Sequence, residues 1–470
     1  MFPRLISLCR CEVRKLVHLL MLVVMTLGMS ASPVQAQQIL RDAESEALLN
    51  EMAEPLIRAA GLRPADVHIV MINDRSINAF VAGGQVVYIH SGLIVNADNA
   101  NQVQGVIAHE LGHIAGGHIV RTDGATRSTR IALLSLLLGA VAIAAGAGEA
   151  GAGILAAGQQ AALGSYLAYS RVQESTADAA GSRYLSAAGI SGRGSVEFFM
   201  KLQNLEQRYN VPQDDDQAYG RTHPLSGDRI QVLRDTYSVD PAWDVATAPR
   251  LEAWFQRVRA KLVGFVSDPR QTIAAYPQSD RSEAARYARA YAWHRSAHPE
   301  QALAEANALV GLDANNPYYL ELLGQILLES GRPADALPAL RQAVERSEGQ
   351  PLIAALFGHA LIATEDPANY REAETILRAA VARDNENPFA WYQLGVVYAH
   401  NGDEPRANLA SAERYLMIGQ TGQALLSAEA AAGALPNNGP DWLRAQDIVL
   451  VARARLDEER RRGRQTGNRS

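Results

Sequence analysis

Gln104-Gly-Val-Ile-Ala-His-Glu-Leu-Gly-His113 decides how this chain folds. Val103, Val106, Ile107, Leu111 and Ile114 recur at helical spacing, which predicts an amphipathic helix with one buried face. Positions i and i+4 of a helix lie one above the other. His109 and His113 therefore aim two imidazoles at one point, a geometry suited to a tetrahedral Zn²⁺. Glu110 stands beside them, where a carboxylate can take a proton from a metal-activated water. The bland alternative is a pair of satisfied histidines on a helix face. Which reading holds depends on whether the rest of the chain supplies further ligands.

Working outward, residues 40–60 carry an apolar periodicity that predicts a helix ending near Gly61. Val67–Ile72 reads as a strand. Ala79-Phe80-Val81 and Gln85–His90 read as two strands joined through a Gly83-Gly84 turn. A small sheet ahead of the His109 helix can offer an edge strand to a substrate backbone. The alternative is a purely structural hairpin. Downstream, a metzincin would place its third histidine at position 119, but that residue is Ile119. His118 falls one residue early, a turn of about 100° on a helix, so it is expected to stand behind the ligands or to be structural, with a ligand role as the alternative.

Glu174 and Asp178 stand four apart in a helical stretch. Two acids stacked in this way repel by a few tenths of a kcal/mol unless something compensates. A cation held by Glu174, with Asp178 accepting a ring N–H from a ligand histidine, would compensate. A solvated acidic face is the alternative. Further on, His223-Pro224 opens another helix, with Pro224 suited to its first turn. His223 is read as a catalytic candidate that stabilises the oxyanion or approaches the metal; a capping or core histidine is the bland alternative.

With these residues in view, the chain resembles the M48 family of zinc metallopeptidases. The resemblance rests on His109-Glu110-Leu111-Gly112-His113, Glu174-Ser-Thr-Ala-Asp178, Asn78-Ala79-Phe80 and Thr222-His223-Pro224, and spans roughly residues 40–265. It implies a gluzincin fold and one Zn²⁺ per chain. His109, His113 and Glu174 would be the ligands, Glu110 the general base and Asp178 the acid behind a ligand histidine.

Around this domain the composition adds context. The chain has 470 residues, 48% of them hydrophobic and 20% charged, as a globular protein of two or three domains should. Residues 1–36 read as a signal peptide, with Arg4, Arg10, Arg14 and Lys15 ahead of the apolar run Leu19–Met29 and cleavage after Ala36. A retained membrane anchor is the alternative. Both cysteines, Cys9 and Cys11, lie in this leader, so the mature chain has no disulfide framework and no thiolate zinc site. Cleavage takes the formal charge from −6 to about −9, which argues against nucleic acid as a partner. Periplasmic export is the expectation. Residues 131–169 carry one charge, Glu149. The run Ile131–Ala147 is short of the roughly 20 apolar residues that span a bilayer. Residues 131–169 are therefore expected to form a buried or membrane-grazing helical hairpin, an apolar flap over the active site, with a membrane-spanning segment as the alternative.

From about residue 280 a period appears. Ala290, Pro299, Ala302 and Leu303 return 34 residues later as Gly324, Pro333, Ala336 and Leu337; Pro317 and Gly324 return as Pro351 and Gly358. The next step is 37, to Pro388 and Gly395, with the extra three residues assigned to the loop around Asp366–Ala368. A 34-residue helix–turn–helix period resembles tetratricopeptide repeats, whose units stack into a solenoid; a plain helical bundle is the alternative.

The expected fold is mainly α with a small β-sheet. Its parts are a signal peptide at 1–36, a metalloprotease domain at 37–270, a repeat solenoid at 271–460 and a frayed tail at 461–470. An exported M48-like domain joined to such repeats resembles the periplasmic members of the family. That resemblance implies protein substrates among misfolded or stalled outer-membrane proteins, with the repeats holding the assembly machinery. Two other classes stay open: a scaffold or chaperone with a latent metal site, and a membrane-embedded protease of lipidated substrates.

Overall fold

The computed structural model describes residues 39–118, 157, 160, 171–209, 223 and 227–467. The expected leader, the 131–169 flap apart from Ala157 and Gln160, Pro224 and the last three residues of the expected tail lie outside them. No helix among the described residues is long and apolar enough to cross a membrane.

Helix α1 (Ala43–Ala59) starts at Asp42, whose carboxylate accepts the Ser45 N–H and so satisfies one of the open amides of the first turn. A three-residue 3₁₀ turn then leads to strand β1 (His68–Ile72). Strands β2 (Ala79–Ala82) and β3 (Val86–His90) form the expected antiparallel hairpin, and β1 lies parallel to β3 on its other side. The order β1-β3-β2 leaves β2 as an edge. Gly83 and Gly84 turn the hairpin with φ of 64° and 104°, a region open to glycine.

Helix α2 (Ser91–Asn96) leads to α3 (Ala100–Ala115), the predicted site helix, capped by the Asn99 side chain on Gln102 N–H. Val103, Val106, Ile107 and Leu111 are fully buried against α1 and the sheet. Each such side chain contributes about 1.5–3 kcal/mol by leaving water. Helix α4 spans 171–187. It crosses α3 where Gly112 meets Ala177 and Gly181 meets Ala108, backbone against backbone. Helices α5 (Arg193–Tyr209), α6 (Gly227–Ser238) and α7 (Pro249–Val266) complete this layer, and α8 (Pro269–Ala275) follows.

Ten helices then stack in pairs: α9 (Glu283–Arg295) with α10 (Pro299–Leu312), α11 (Pro317–Glu329) with α12 (Pro333–Arg346), and α13 (Pro351–Ala363) with α14 (Pro367–Arg383). The pairs α15 (Pro388–His400) with α16 (Glu404–Met417) and α17 (Thr421–Ala434) with α18 (Pro440–Gly467) continue the stack. Proline opens seven of these helices, where its fixed φ fits and its missing N–H costs nothing. Gly324 and Gly358 face Leu340 and Leu377 so closely that an added Cβ would stand 2.4 and 2.5 Å away.

Two expectations are corrected. The three extra residues do not sit in a loop around Asp366. Helix α14 starts at Pro367 and absorbs them, with 17 residues against 14 in α10 and α12. Nothing between Leu456 and Arg461 breaks a helix, and Arg460 lies 3.7 Å from Asp457 one turn back. Helix α18 therefore runs to Gly467, into the stretch expected to fray.

Candidate metal centre

Helix α3 holds His109, Glu110 and His113, all buried. The α3/α4 crossing brings Glu174 against them, and His223, in a bend ahead of α6, closes the group. The expected ligands thus meet in one place. Helix register explains the pairing of the two histidines: His109 Nε2 and His113 Nε2 are 3.1 Å apart. Glu174 Oε2 lies 3.3 Å from His109 Nε2, and Oε1 lies 3.4 Å from His113 Nε2. His223 Nδ1 is 3.3 Å from His109 Nε2 and 3.2 Å from both Glu174 oxygens.

These separations can be compared with a metal site. A tetrahedral ion with bonds of about 2.0–2.1 Å spaces its donors roughly 3.3 Å apart. Asp178 decides which ring nitrogen of His109 faces inward. His109 Nδ1 donates to Asp178 Oδ1 at 2.9 Å, so Nε2 turns its lone pair toward the other donors. Lone pairs and a carboxylate crowded at this range repel unless a cation lies among them. The donor set, two helix histidines, a glutamate and a third histidine, therefore fits a metal such as zinc.

The electrostatics agree. Burial pushes the His109 imidazole down, but Asp178 and Glu174 outweigh it and raise it to about 9, so without a cation the cluster takes up a proton instead. Burial likewise pushes Glu174 up, and the three histidines overcome it and hold it far below the carboxylate range. His113 is pushed down, chiefly by burial.

Glu110 is fully buried, and neither carboxylate oxygen has a hydrogen bond among the described residues. His223 Nε2 lies 3.5 Å from its Oε1. An uncompensated buried carboxylate costs several kcal/mol, so its position beside the donors marks a functional group. His118 stands behind His113, with the two Nδ1 atoms 2.8 Å apart. It supports the ligand ring from outside, as expected for a histidine one residue out of phase. His223 also reaches the sheet, its Nε2 donating to Ala79 O on the edge strand at 3.2 Å.

Sequence reasoning missed Arg229. From the first turn of α6 its Nε donates to Asp178 Oδ2 at 2.5 Å, and Nη1 lies 3.0 Å from Glu174 Oε2. Its guanidinium also stacks 5.2 Å over Phe199. This is part of what offsets the Glu174–Asp178 repulsion. The signal was present: two buried acids at i,i+4 demand a cation, and Arg229 follows the His223-Pro224 pair within two turns.

Residues 42–237 match Peptidase family M48, and residues 327–394 match a tetratricopeptide repeat family. The chain carries an M48 peptidase domain followed by tetratricopeptide repeats. The chain is similar to the beta-barrel assembly-enhancing protease of Escherichia coli, at 23% identity over 385 residues, 80% of this chain and 76% of that one. A Vibrio cholerae relative bearing the same name for its kind aligns at 29% identity over 234 residues, and this chain spans 47% of its length. The Escherichia coli metalloprotease LoiP aligns at 32% identity over 183 residues, 38% of this chain and 65% of its own. The match over residues 42–237 and the metalloprotease relatives support a metalloendopeptidase.

Proposed function

We propose that this M48 chain is a zinc-dependent endopeptidase of the bacterial periplasm. It would cleave misfolded or stalled outer-membrane proteins, with the repeats engaging those substrates or their assembly machinery. The observation that carries the chemistry is the convergence of four donor atoms beside a buried Glu110 with no hydrogen bond among the described residues. The substrate class and compartment rest on the names of the relatives and on the reading of residues 1–36 as a leader.

In this reading His109, His113 and Glu174 hold the metal. Zinc there would supply Lewis acidity and a water of lowered pKa. Glu110 accepts the proton of the attacking water and returns it to the leaving amine. Asp178 keeps His109 in the tautomer that faces the ion, and Arg229 keeps Asp178 ionised and in place. His223 lies among the donors and 3.5 Å from Glu110, so it would compete with a water for the place beside Glu110. The edge strand β2 is the natural rail for a substrate backbone.

The test is Glu110→Gln. It should keep full zinc content and the wild-type melting curve while losing hydrolysis of an unfolded protein substrate. Chelator-sensitive cleavage retained in that variant would overturn the assignment of the base. The position of His223 favours one second reading, a scaffold with a latent site. Full complementation by Glu110→Gln in cells would favour it over proteolysis.

A further inference from the structure

The repeats and the peptidase domain enclose a cavity of about 350 Å³. One wall is the start of α1 and the end of α7. The other is built by the first helices of four successive pairs, α9, α11, α13 and α15. Its lining is mainly apolar, with Leu262, Phe265, Leu356 and Phe389 among its residues.

Most charged and amide groups of this cavity have partners. Arg41 donates to Glu46 and Asp384. Asp42 pairs with Lys261 at 2.5 Å and accepts from Ser45. Gln325 donates to Glu329, and Asn387 caps its own helix. Glu321 differs: its Oε2 is enclosed and has no hydrogen-bond partner among the described residues. Its surroundings repel charge. Burial pushes its carboxyl up, Lys261 opposes this, and Asp42, Glu44 and Glu46 add to the rise, to about 8. Lys261 is already shared, with Asp42 on its ammonium at 2.5 Å and Glu44 3.6 Å away.

We propose that this cavity binds a lysine or arginine side chain of an extended polypeptide, with Glu321 receiving the cationic head and the apolar walls covering the aliphatic stem. The chemistry follows from the two halves of the site. A long basic side chain is an apolar rod with a charged tip. The cavity offers apolar walls and one half-buried carboxylate whose enclosed oxygen lacks a partner among the described residues. A hydrophobic side chain would leave Glu321 unsatisfied, and an acidic one would add a further negative charge. The position on the first helices of consecutive pairs suits a chain lying along the repeats. This site is separate from the metal centre, so its test is independent of the proteolytic reading.

The test uses the full chain in the Glu110→Gln form, so that no probe is cut. Fluorescence anisotropy would follow a labelled alanine heptapeptide with one central lysine, beside the same peptide with norleucine. At pH 9, where Glu321 is ionised and lysine still protonated, the lysine peptide should bind about ten-fold more tightly, the worth of a charge-assisted hydrogen bond. Glu321→Gln should remove that difference and leave norleucine binding unchanged. Phe389→Ala, at an exposed edge of the cavity, should weaken both peptides. Equal binding of the two peptides would overturn the proposal, as would an unchanged preference in Glu321→Gln or no binding of the lysine peptide at about 1 mM. The lysine–norleucine comparison needs no substitution at Glu321, so it decides the matter even if Glu321→Gln fails to fold.

Discussion

Gly112 lies inside the metal-binding motif, and its replacement by alanine would test the whole site. A Cβ at Gly112 would stand 2.6 Å from the Ala177 carbonyl oxygen and 2.9 Å from Ala177 Cα. Carbon atoms settle at about 3.5–4.0 Å, so α3 and α4 must separate by roughly 0.6 Å or more. Ala177 lies three residues from Glu174 and one from Asp178, so the shift carries both acids away from His109 and His113. Metal sites hold their ligand distances to about ±0.2 Å, well under that displacement. Overpacking of this kind costs about 1–3 kcal/mol of stability, which leaves most of the fold standing. Gly112→Ala should therefore remain helical while zinc affinity falls at least ten-fold, within the about 10–100-fold range for disturbed outer partners. The assay is a competitive chelator titration on purified protein, read beside peptide hydrolysis and circular dichroism. Wild-type zinc affinity in a folded Gly112→Ala protein would refute the argument that the α3/α4 approach sets the ligand geometry.

Arg229→Met should leave Asp178 and Glu174 short of a buried counter-charge and cost about 3–5 kcal/mol, read as a fall in the melting temperature of the zinc-free protein. In the repeats, Gly324→Ala should destabilise by about 1–3 kcal/mol because its Cβ would stand 2.4 Å from Leu340. Gly395→Ala should be neutral or gain up to about 1 kcal/mol, since its Cβ meets nothing nearer than Ala410 at 3.5 Å; urea unfolding compares the two. Glu321 sets a pH dependence. The folded chain keeps its proton up to about pH 8, against an ordinary value of 4.5. The folded state thus binds more protons between these values, and stability falls as pH rises through the window. Glu321→Gln should match the wild type near pH 4 and melt higher near pH 9.

The candidate metal centre was legible because its geometry is local. The i,i+4 spacing of His109 and His113 puts two imidazoles on one face without any tertiary information. Glu174 and Asp178 repeat that spacing, and their mutual repulsion asks for a cation. Arg229 escaped assignment because its partners lie about 50 residues away on another helix, and no helical period links them. His223 was legible as a candidate, but its role was not, because a histidine in a loop has no period to orient it. The hairpin β2–β3 was readable from its glycine turn. The parallel pairing of β1 with β3 is a tertiary fact. In the repeats, apolar matches at Ala373 and Leu377 revealed the three-residue insertion but not its place. A helix can lengthen at its first turn without disturbing the packing face that the period records.

Glu44 gives the two domains a shared foundation. It is wholly buried on α1 of the peptidase, yet it accepts the Tyr287 hydroxyl of the first repeat at 2.6 Å and the Arg257 guanidinium at 2.9 Å. Just ahead of α1, the Leu40 N–H donates to Met71 O on β1. Tension on the repeats is thus loaded onto α1 and next onto the sheet whose far edge faces His223. A cut at residue 270 would strip Tyr287 from a buried carboxylate, so the peptidase domain released in this way would be a weakened fold.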